Sequence, residues 1–168
     1  VEVLIPDFKG NIKDLKTVIK SKPDVINHNL ETVPEKYSTV RKGSIYRRSL
    51  DLLGDIKTID STILSKTGLM VGLGETKDQL NRVFEDIKKK SVDILTLGQY
   101  LRPDKKSLPV EYYYHPDEFE ELKQMAESHG IRYVFSGPLV RSSYLAEHVF
   151  EDLIDQEETH NVLSCNNH

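Results

Sequence analysis

The feature that most constrains this chain is the regular alternation of short apolar segments with longer amphipathic ones. The short segments are rich in β-forming residues, and the longer ones place apolar side chains at helical spacing. Strands that alternate with helices in this way are typical of a parallel sheet, in which each helix returns the chain to the start of the next strand. The sequence therefore predicts an α/β fold with parallel strands and crossover helices.

The predicted elements follow one another from the first residue to beyond residue 150. Strands are predicted at 1–5, 67–73, 92–97 and 131–136, and a short apolar entry at 25–26 leads into an extended polar segment that ends at Glu31. Capping residues or a proline mark the predicted helix starts, which are Asn11, Ser44, Thr76 and Pro116. Residues 103–114 are predicted to form an irregular loop, and a closing helix is predicted from about Tyr144.

Composition limits the classes of protein to which the chain can belong. Its 168 residues suffice for one domain of ordinary size. Acidic and basic residues are well mixed at a net charge of -4, so we expect no nucleic-acid partner. We also expect no membrane span, because no apolar run approaches about 20 residues. The one cysteine, Cys165, forms no internal disulfide and cannot hold an iron–sulfur cluster alone.

Polar residues and glycines follow the predicted strands in succession. Ligands in parallel α/β folds gather at the carboxyl ends of the strands, so these residues predict a binding site there. They are Asp7 after the first strand, Asn27, Asn29 and Glu31 after the second, Gly72, Gly74 and Glu75 after the third, Gly98 and Gln99 after the fourth, and Arg141, Ser142 and Ser143 after the last.

Asn27, Asn29 and Glu31 stand at a period of two, so an extended segment would point all three to the same face. Amide and carboxylate groups on one face suit a ligand with hydroxyl and amino groups, such as a nucleoside joined to an amino acid. The alternative interpretation is that the asparagines only form a turn after the strand.

Gly68, Gly72 and Gly74 would allow the backbone to approach a ligand closely, although a tight turn between strand and helix explains them equally well. The segment lacks the spacing of a P-loop or a dinucleotide fingerprint. A serine of the Arg-Ser-Ser-Tyr motif at 141–144 would either cap the closing helix or bind a metal or anion at its positive end. The histidines show no paired ligand spacing and are interpreted as structural or solvated.

Five longer stretches carry a resemblance to a known family. They are VEVLIPDF at 1–8, NHNLETVP at 27–34, TGLMVGLGET at 67–76, LTLGQYL at 95–101 and SGPLVRSSY at 136–144. In this order they resemble the lipoyl synthase family of the radical S-adenosylmethionine superfamily. The resemblance implies a partial (β/α) barrel, with residues 1–136 forming its C-terminal part from about the third strand onward. Residues 137–168 would form a C-terminal extension with the Arg-Ser-Ser-Tyr motif and a polar tail.

The resemblance implies an enzyme that inserts two sulfur atoms at C6 and C8 of a protein-bound octanoyl group. Its cofactors would be S-adenosylmethionine and two 4Fe-4S clusters, whose cysteine ligands would lie outside this chain. Asn27, Asn29 and Glu31 resemble the ligands of the ribose and methionine groups, while Gly72, Gly74, Glu75 and Gln99 resemble residues that lie along the cofactor. Ser143, or less well Ser142, would ligate the auxiliary cluster, and Arg141 would lie close to that cluster or to the substrate.

Several expectations about the setting follow from the resemblance. Octanoylated lipoyl-carrier domains and an electron donor such as ferredoxin or flavodoxin would be partners, in the cytoplasm or alternatively in the mitochondrial matrix. The chain begins directly with a predicted strand, so we expect pairing partners upstream in a longer parent. Taken alone, the 168 residues would be an inactive fragment. The alternatives are a non-catalytic binding module of the same type and a phosphate-binding (β/α) enzyme.

Overall fold

A computed structural model describes residues 1–141 of the chain. The strands are β1 (Glu2–Leu4), β2 (Val25–Asn27), β3 (Leu64–Val71), β4 (Ile94–Gln99) and β5 (Tyr133–Gly137). The helices are α1 (Ile12–Lys20), α2 (Tyr37–Val40), α3 (Tyr46–Ile59), α4 (Lys77–Lys89) and α5 (Pro116–Ser128), with short 3-10 turns at Phe8–Gly10 and Pro34–Lys36. The predicted closing helix, both serines of the motif and Cys165 lie outside the described residues.

The five strands form one parallel sheet in which sequence order is also spatial order, β1-β2-β3-β4-β5. Each connection therefore moves one strand further in the same direction, as in a (β/α) barrel rather than a doubly wound sheet. Within residues 1–141 the sheet does not close, since β1 and β5 each have one strand neighbour. The predicted α/β fold with parallel strands in a partial barrel is confirmed.

The two faces of the sheet differ sharply in what covers them. The main hydrophobic core joins one face to the helices, with Leu69, Leu95 and Leu97 packed among residues such as Phe84 and Phe119. On the opposite face, which we call the inner face, the hydrophobic cluster consists of strand residues only: Val25 and Ile94 with Leu64, Tyr133 and Phe135 around them. The carboxyl end of the inner face therefore remains available to a ligand.

Side-chain caps fix most of the predicted helix starts. The Asn11 side chain accepts from the Lys13 amide at the start of α1. Thr76 and Gln79 form the predicted capping box at the start of α4. The prediction that Ser44 caps a helix is wrong, because the residue before α3 is Ile45 and no side chain caps that end. No helix in residues 1–141 has both the length and the apolar character needed to span a membrane.

Several predicted strand limits are also wrong. β4 includes Gly98 and Gln99, which the sequence places after it, and β5 runs Tyr133–Gly137. The extended segment does not continue from β2 to Glu31, because β2 ends at Asn27 and Glu31 has a φ of 69°. β3 begins at Leu64 rather than Thr67, so it includes the charged residue Lys66. The predicted loop at 103–114 contains no helix or strand, as expected.

Candidate functional site

A cavity of about 270 Å³ lies at the carboxyl ends of β3 and β4, where the inner face is uncovered. Residues from the ends of three strands and from the segment after β5 form its wall. They are Asn29, Glu31, Gly68, Leu69, Met70, Thr96, Gly98, Gln99, Leu101, Val140 and Arg141. This is the strand-end position at which the sequence predicts a site, and it brings together Asn29, Glu31, Gln99 and Arg141 from the predicted set.

Asn29, which lines this cavity, has an unpaired amide oxygen. Its Oδ1 is buried and has no hydrogen-bond partner among the described residues, whereas its backbone oxygen accepts from Arg41 Nη1 at 2.6 Å. A Cβ placed on Gly68 would lie 3.0 Å from that Oδ1, so a larger residue at Gly68 would crowd the amide. A buried acceptor without a donor costs free energy, and a ligand N–H or O–H group would remove this cost.

Glu31 has a φ of 69°, a backbone conformation that residues other than glycine rarely adopt. The end of β3 maintains it, because the Glu31 amide donates to Gly68 O at 2.9 Å and Glu31 O accepts from the Met70 amide at 2.8 Å. The carboxylate forms no hydrogen bond or ion pair within residues 1–141. A strained position whose side chain has no internal role favours a functional interpretation.

A second cavity, of about 350 Å³, shares Asn29 and Glu31 with the first and reaches toward β1. Arg41 and His28 also line it, and the Arg41 guanidinium lies 5.8 Å from the centre of the Tyr37 ring. Glu31 thus shares one cavity with Arg141 and the other with Arg41. Carboxylate and guanidinium groups that line the same cavities suit a ligand that carries both an ammonium and a carboxylate group.

Asn27 is separated from this pair. It lies one layer deeper on the inner face as the Cα partner of Lys66, and its Nδ2 donates to Glu2 Oε1 at 3.2 Å. Lys66 Nζ forms an ion pair with the same carboxylate at 2.9 Å. Asn27 does not line the cavity above it, so the structure splits the three residues that the sequence places on one face.

Gly72, Gly74 and Glu75 form the turn after β3 and do not line the cavity. Both glycines have positive φ, at 102° and 83°. The Glu75 carboxylate accepts from the amides of Gly72 at 2.7 Å and Leu73 at 2.9 Å, so it stabilises its own turn. Gln99 borders the cavity, but its amide group bonds to backbone atoms of the loop after β4.

The segment after β5 covers the end of β4. A Cβ on Gly98 would lie 2.2 Å from Val140 O, so only glycine leaves room for that carbonyl. This close approach brings Arg141 to the wall of the cavity. Ser142 and Ser143 follow directly but lie outside the described residues.

Comparison with known proteins finds relatives that share one name. Proteins named lipoyl synthase match over most of the chain: 50% identity over 155 residues in Caldicellulosiruptor bescii, 53% over 146 in Koribacter versatilis and 50% over 152 in Rubrobacter xylanophilus. These matches include 92%, 87% and 90% of this chain. The chain is homologous to the C-terminal part of lipoyl synthases. No family model matches it.

The chain spans about half the length of the lipoyl synthases it matches, between 47% and 53% in the three relatives named above. Within residues 1–141, no group of three or more His, Cys, Asp or Glu side chains is placed to hold a metal ion. The described residues therefore do not fit an iron–sulfur cluster. The unpaired amide of Asn29 and the charged side chains of Glu31, Arg41 and Arg141 that line the cavities fit a polar organic cofactor.

The sequence did not predict three residues that line the cavities, which are Arg41, Thr96 and Met70. Arg41 lies 12 positions after Asn29 in the chain and meets it through a bond to the backbone. Thr96 and Met70 stand inside strands, where their pattern is that of ordinary sheet residues. The NHNLETVP and TGLMVGLGET stretches gave no signal for these contacts, which depend on the pairing of β2, β3 and β4.

Proposed function

We propose that this chain is the C-terminal part of a lipoyl synthase and that its strand-end cavities bind the amino-acid and ribose portions of S-adenosylmethionine. The observation that carries the proposal is the unpaired, buried Oδ1 of Asn29 at a cavity that also contains Glu31. Homology to lipoyl synthases over about nine-tenths of the chain supports it.

The side chains at the cavities have complementary roles in this proposal. The amide oxygen of Asn29 accepts a hydrogen bond from an ammonium or a hydroxyl group of the cofactor. The Glu31 carboxylate pairs with the ammonium, and Arg41 or Arg141 binds the carboxylate of the same ligand. Asn27 supports this layer from below through Glu2. Gly72, Gly74, Glu75 and Gln99 shape the rim beside it.

The proposed reaction of the whole protein is sulfur insertion at C6 and C8 of an octanoyl group on a lipoyl-carrier domain. When bound, the two 4Fe-4S clusters would supply the electron that cleaves S-adenosylmethionine and the sulfur that is inserted. Their cysteine ligands would come from outside this chain, with Ser143, or less well Ser142, as the serine ligand and Arg141 close by. Ferredoxin or flavodoxin is the proposed electron donor, and the cytoplasm the proposed compartment, with the mitochondrial matrix as the alternative.

Equilibrium dialysis of the 168-residue chain against labelled S-adenosylmethionine tests the binding role. We expect Asn29→Ala and Glu31→Gln each to raise the Kd about tenfold, the loss of one hydrogen bond to a charged group. Asn81→Ala is the matched control, because Asn81 is exposed on α4 and its amide contacts only His129. An Asn29→Ala protein that binds like Asn81→Ala would refute the assignment. Displacement of the ligand by inorganic phosphate would favour a phosphate-binding enzyme instead.

A further inference from the structure

The carboxamide of Gln99 is buried and almost fully used in hydrogen bonds to the loop that follows β4. Gln99 as a whole is only 4% exposed. Nε2 donates to Tyr100 O and to Tyr112 O, both at 3.1 Å, and Oε1 accepts from the Tyr114 amide at 3.0 Å. Both N–H groups and one lone pair are therefore engaged by the protein itself.

The turn after β3 holds the same loop from the other side. Gly72 O accepts from the Glu111 amide at 2.9 Å, and Glu75 Oε1 accepts from Tyr114 Oη at 3.1 Å. A Cβ on Gly72 would lie 2.3 Å from Gln99 Nε2 and 2.4 Å from Tyr112 O, so glycine is required for this contact. Burial, together with the charge of Glu75, raises the pKa of Tyr114, which keeps its hydroxyl a donor.

These bonds fix a long loop at the edge of the cavity. Residues 100–115 contain no helix or strand, and a loop of this length is usually mobile unless it is tied down. Leu101 at its start lines the cavity, and His115 at its end caps α5. The Tyr114 ring also lies 5.9 Å from that of Phe119 in α5. The start of the loop therefore forms part of one cavity wall, while its end packs on α5.

We infer that Gln99, together with Glu75, is a positioning residue that clamps segment 111–115 across the ends of β3 and β4, rather than a ligand of the cofactor. The inference rests on the proposed function only in identifying the cavity as the cofactor site. The clamp itself is a property of the free chain and can be measured without any ligand.

Hydrogen–deuterium exchange on the 168-residue chain tests the clamp. We expect Gln99→Leu to speed exchange of the Glu111 and Tyr114 amides about tenfold or more, because their partner is lost or displaced. Amides in α1 and α4 should be unchanged. Gln124→Leu is the matched control, since Gln124 is exposed and its amide bonds only to Glu120 on the same helix. Unchanged exchange at 111–115 in Gln99→Leu, or equal changes in both variants, would overturn the inference.

Gln99→Glu adds a readout that general loosening of the fold would not reproduce. The new carboxyl group would be buried and would face the Tyr100 and Tyr112 carbonyl oxygens, and both conditions favour its protonated form. When protonated it can still donate to one carbonyl, so the loop should stay ordered at about pH 5 and loosen by about pH 8, relative to wild type at the same pH. The same difference at both pH values would contradict the clamp, even if Gln99→Leu fails to fold.

Dialysis with S-adenosylmethionine links the clamp to binding and separates the two proposals. A positioning role predicts that the Kd of Gln99→Glu follows loop order, close to wild type at about pH 5 and several-fold higher at about pH 8. A direct ligand role predicts a Kd that is raised while exchange at 111–115 stays normal, which would overturn the inference. If the wild-type chain binds no S-adenosylmethionine, the proposed function fails, and the exchange data alone still decide whether the clamp exists.

Discussion

At the scale of single residues, the deepest charge on the inner face is Lys66, which is only 2% exposed. Its Nζ contacts both oxygens of Glu2, at 2.9 and 3.1 Å, and the same carboxylate accepts from Asn27. Removing one partner of a buried ion pair leaves the other charge uncompensated, which costs far more than the pair itself contributes. We therefore expect Glu2→Ala to lower the free energy of unfolding by about 3 kcal/mol, measured by urea denaturation.

Lys66→Met provides the opposite test at the same place. It removes the buried charge but keeps a long apolar side chain, so the loss of stability should be clearly smaller than in Glu2→Ala. Lys89→Ala, which breaks an exposed pair with Glu85 on α4, should have no measurable effect. Equal losses of stability in Glu2→Ala and Lys66→Met would show that an uncompensated Lys66 charge costs nothing beyond the lost packing.

His28 is buried beside the second cavity, and its Nδ1 is 2.9 Å from Ile5 O. Burial and the charge of Arg41 lower the pKa of His28 from its ordinary value, against the opposing effects of Asp7 and the Ile5 carbonyl. As the pH falls below about 6.5, the unfolded chain takes up the proton before the folded chain does, so stability is lost there.

His28→Gln should remove this part of the acid sensitivity. The difference in unfolding free energy between about pH 7.5 and about pH 5.5 should be smaller in His28→Gln than in wild type, as measured by urea denaturation. The other five histidines are common to both proteins and cancel in the comparison. An unchanged difference between the two pH values would show that His28 is protonated equally in the folded and unfolded states.

At the scale of elements, the two serine or threonine caps that the sequence proposes behave differently. Thr76 accepts from the Gln79 amide at 3.2 Å at the start of α4, while Ser44 caps nothing because α3 begins after Ile45. Thr76→Ala should therefore cost about 1 kcal/mol of stability. Ser44→Ala should cost close to nothing, and thermal or urea unfolding of both variants checks the contrast. A loss in Ser44→Ala equal to that in Thr76→Ala would place a cap where the structure has none.

The order and type of the elements could be predicted because apolar periodicity and caps are local signals. Asn11, the Thr76–Gln79 pair and Pro116 all mark helix starts that the structure contains. The errors arose where tertiary contacts override local pattern. The start of β3 was not predicted because the charged residue Lys66 is unexpected inside a buried strand. Its ion pair with Glu2 allows the charge to be buried.

The candidate site could be predicted only in outline. Strand-end polarity predicted that Asn29 and Glu31 lie close together, and both line one cavity. It did not predict their geometry, since Glu31 has a positive φ that no sequence period reveals. Asn27 faces Glu2 one layer below because the pairing of β1 with β2 sets that contact. Whether any of these residues binds a cofactor stays a prediction.

At the scale of the whole molecule, the asymmetry of the sheet accounts for where a site can form. Helices cover one face. On the inner face, strand residues pack on one another, and an open cavity lies at the carboxyl ends of the strands. The segment after Gly137 returns over the end of β4 and brings Arg141 to the cavity. The division into a barrel part at 1–136 and an extension at 137–168 stays a prediction.

The same scale sets the limit of what these 168 residues can do alone. Iron–sulfur clusters need several thiolates, and the sequence has a single cysteine, Cys165. Within residues 1–141 no acidic or histidine cluster offers a substitute. After anaerobic reconstitution with iron and sulfide, we therefore expect the 168-residue chain to form no lipoyl product on an octanoylated carrier domain.

Full-length lipoyl synthase of Caldicellulosiruptor bescii, assayed in parallel, controls for the reconstitution. Product from the 168-residue chain above a no-protein blank would show that sulfur insertion does not need the cysteines that this chain lacks.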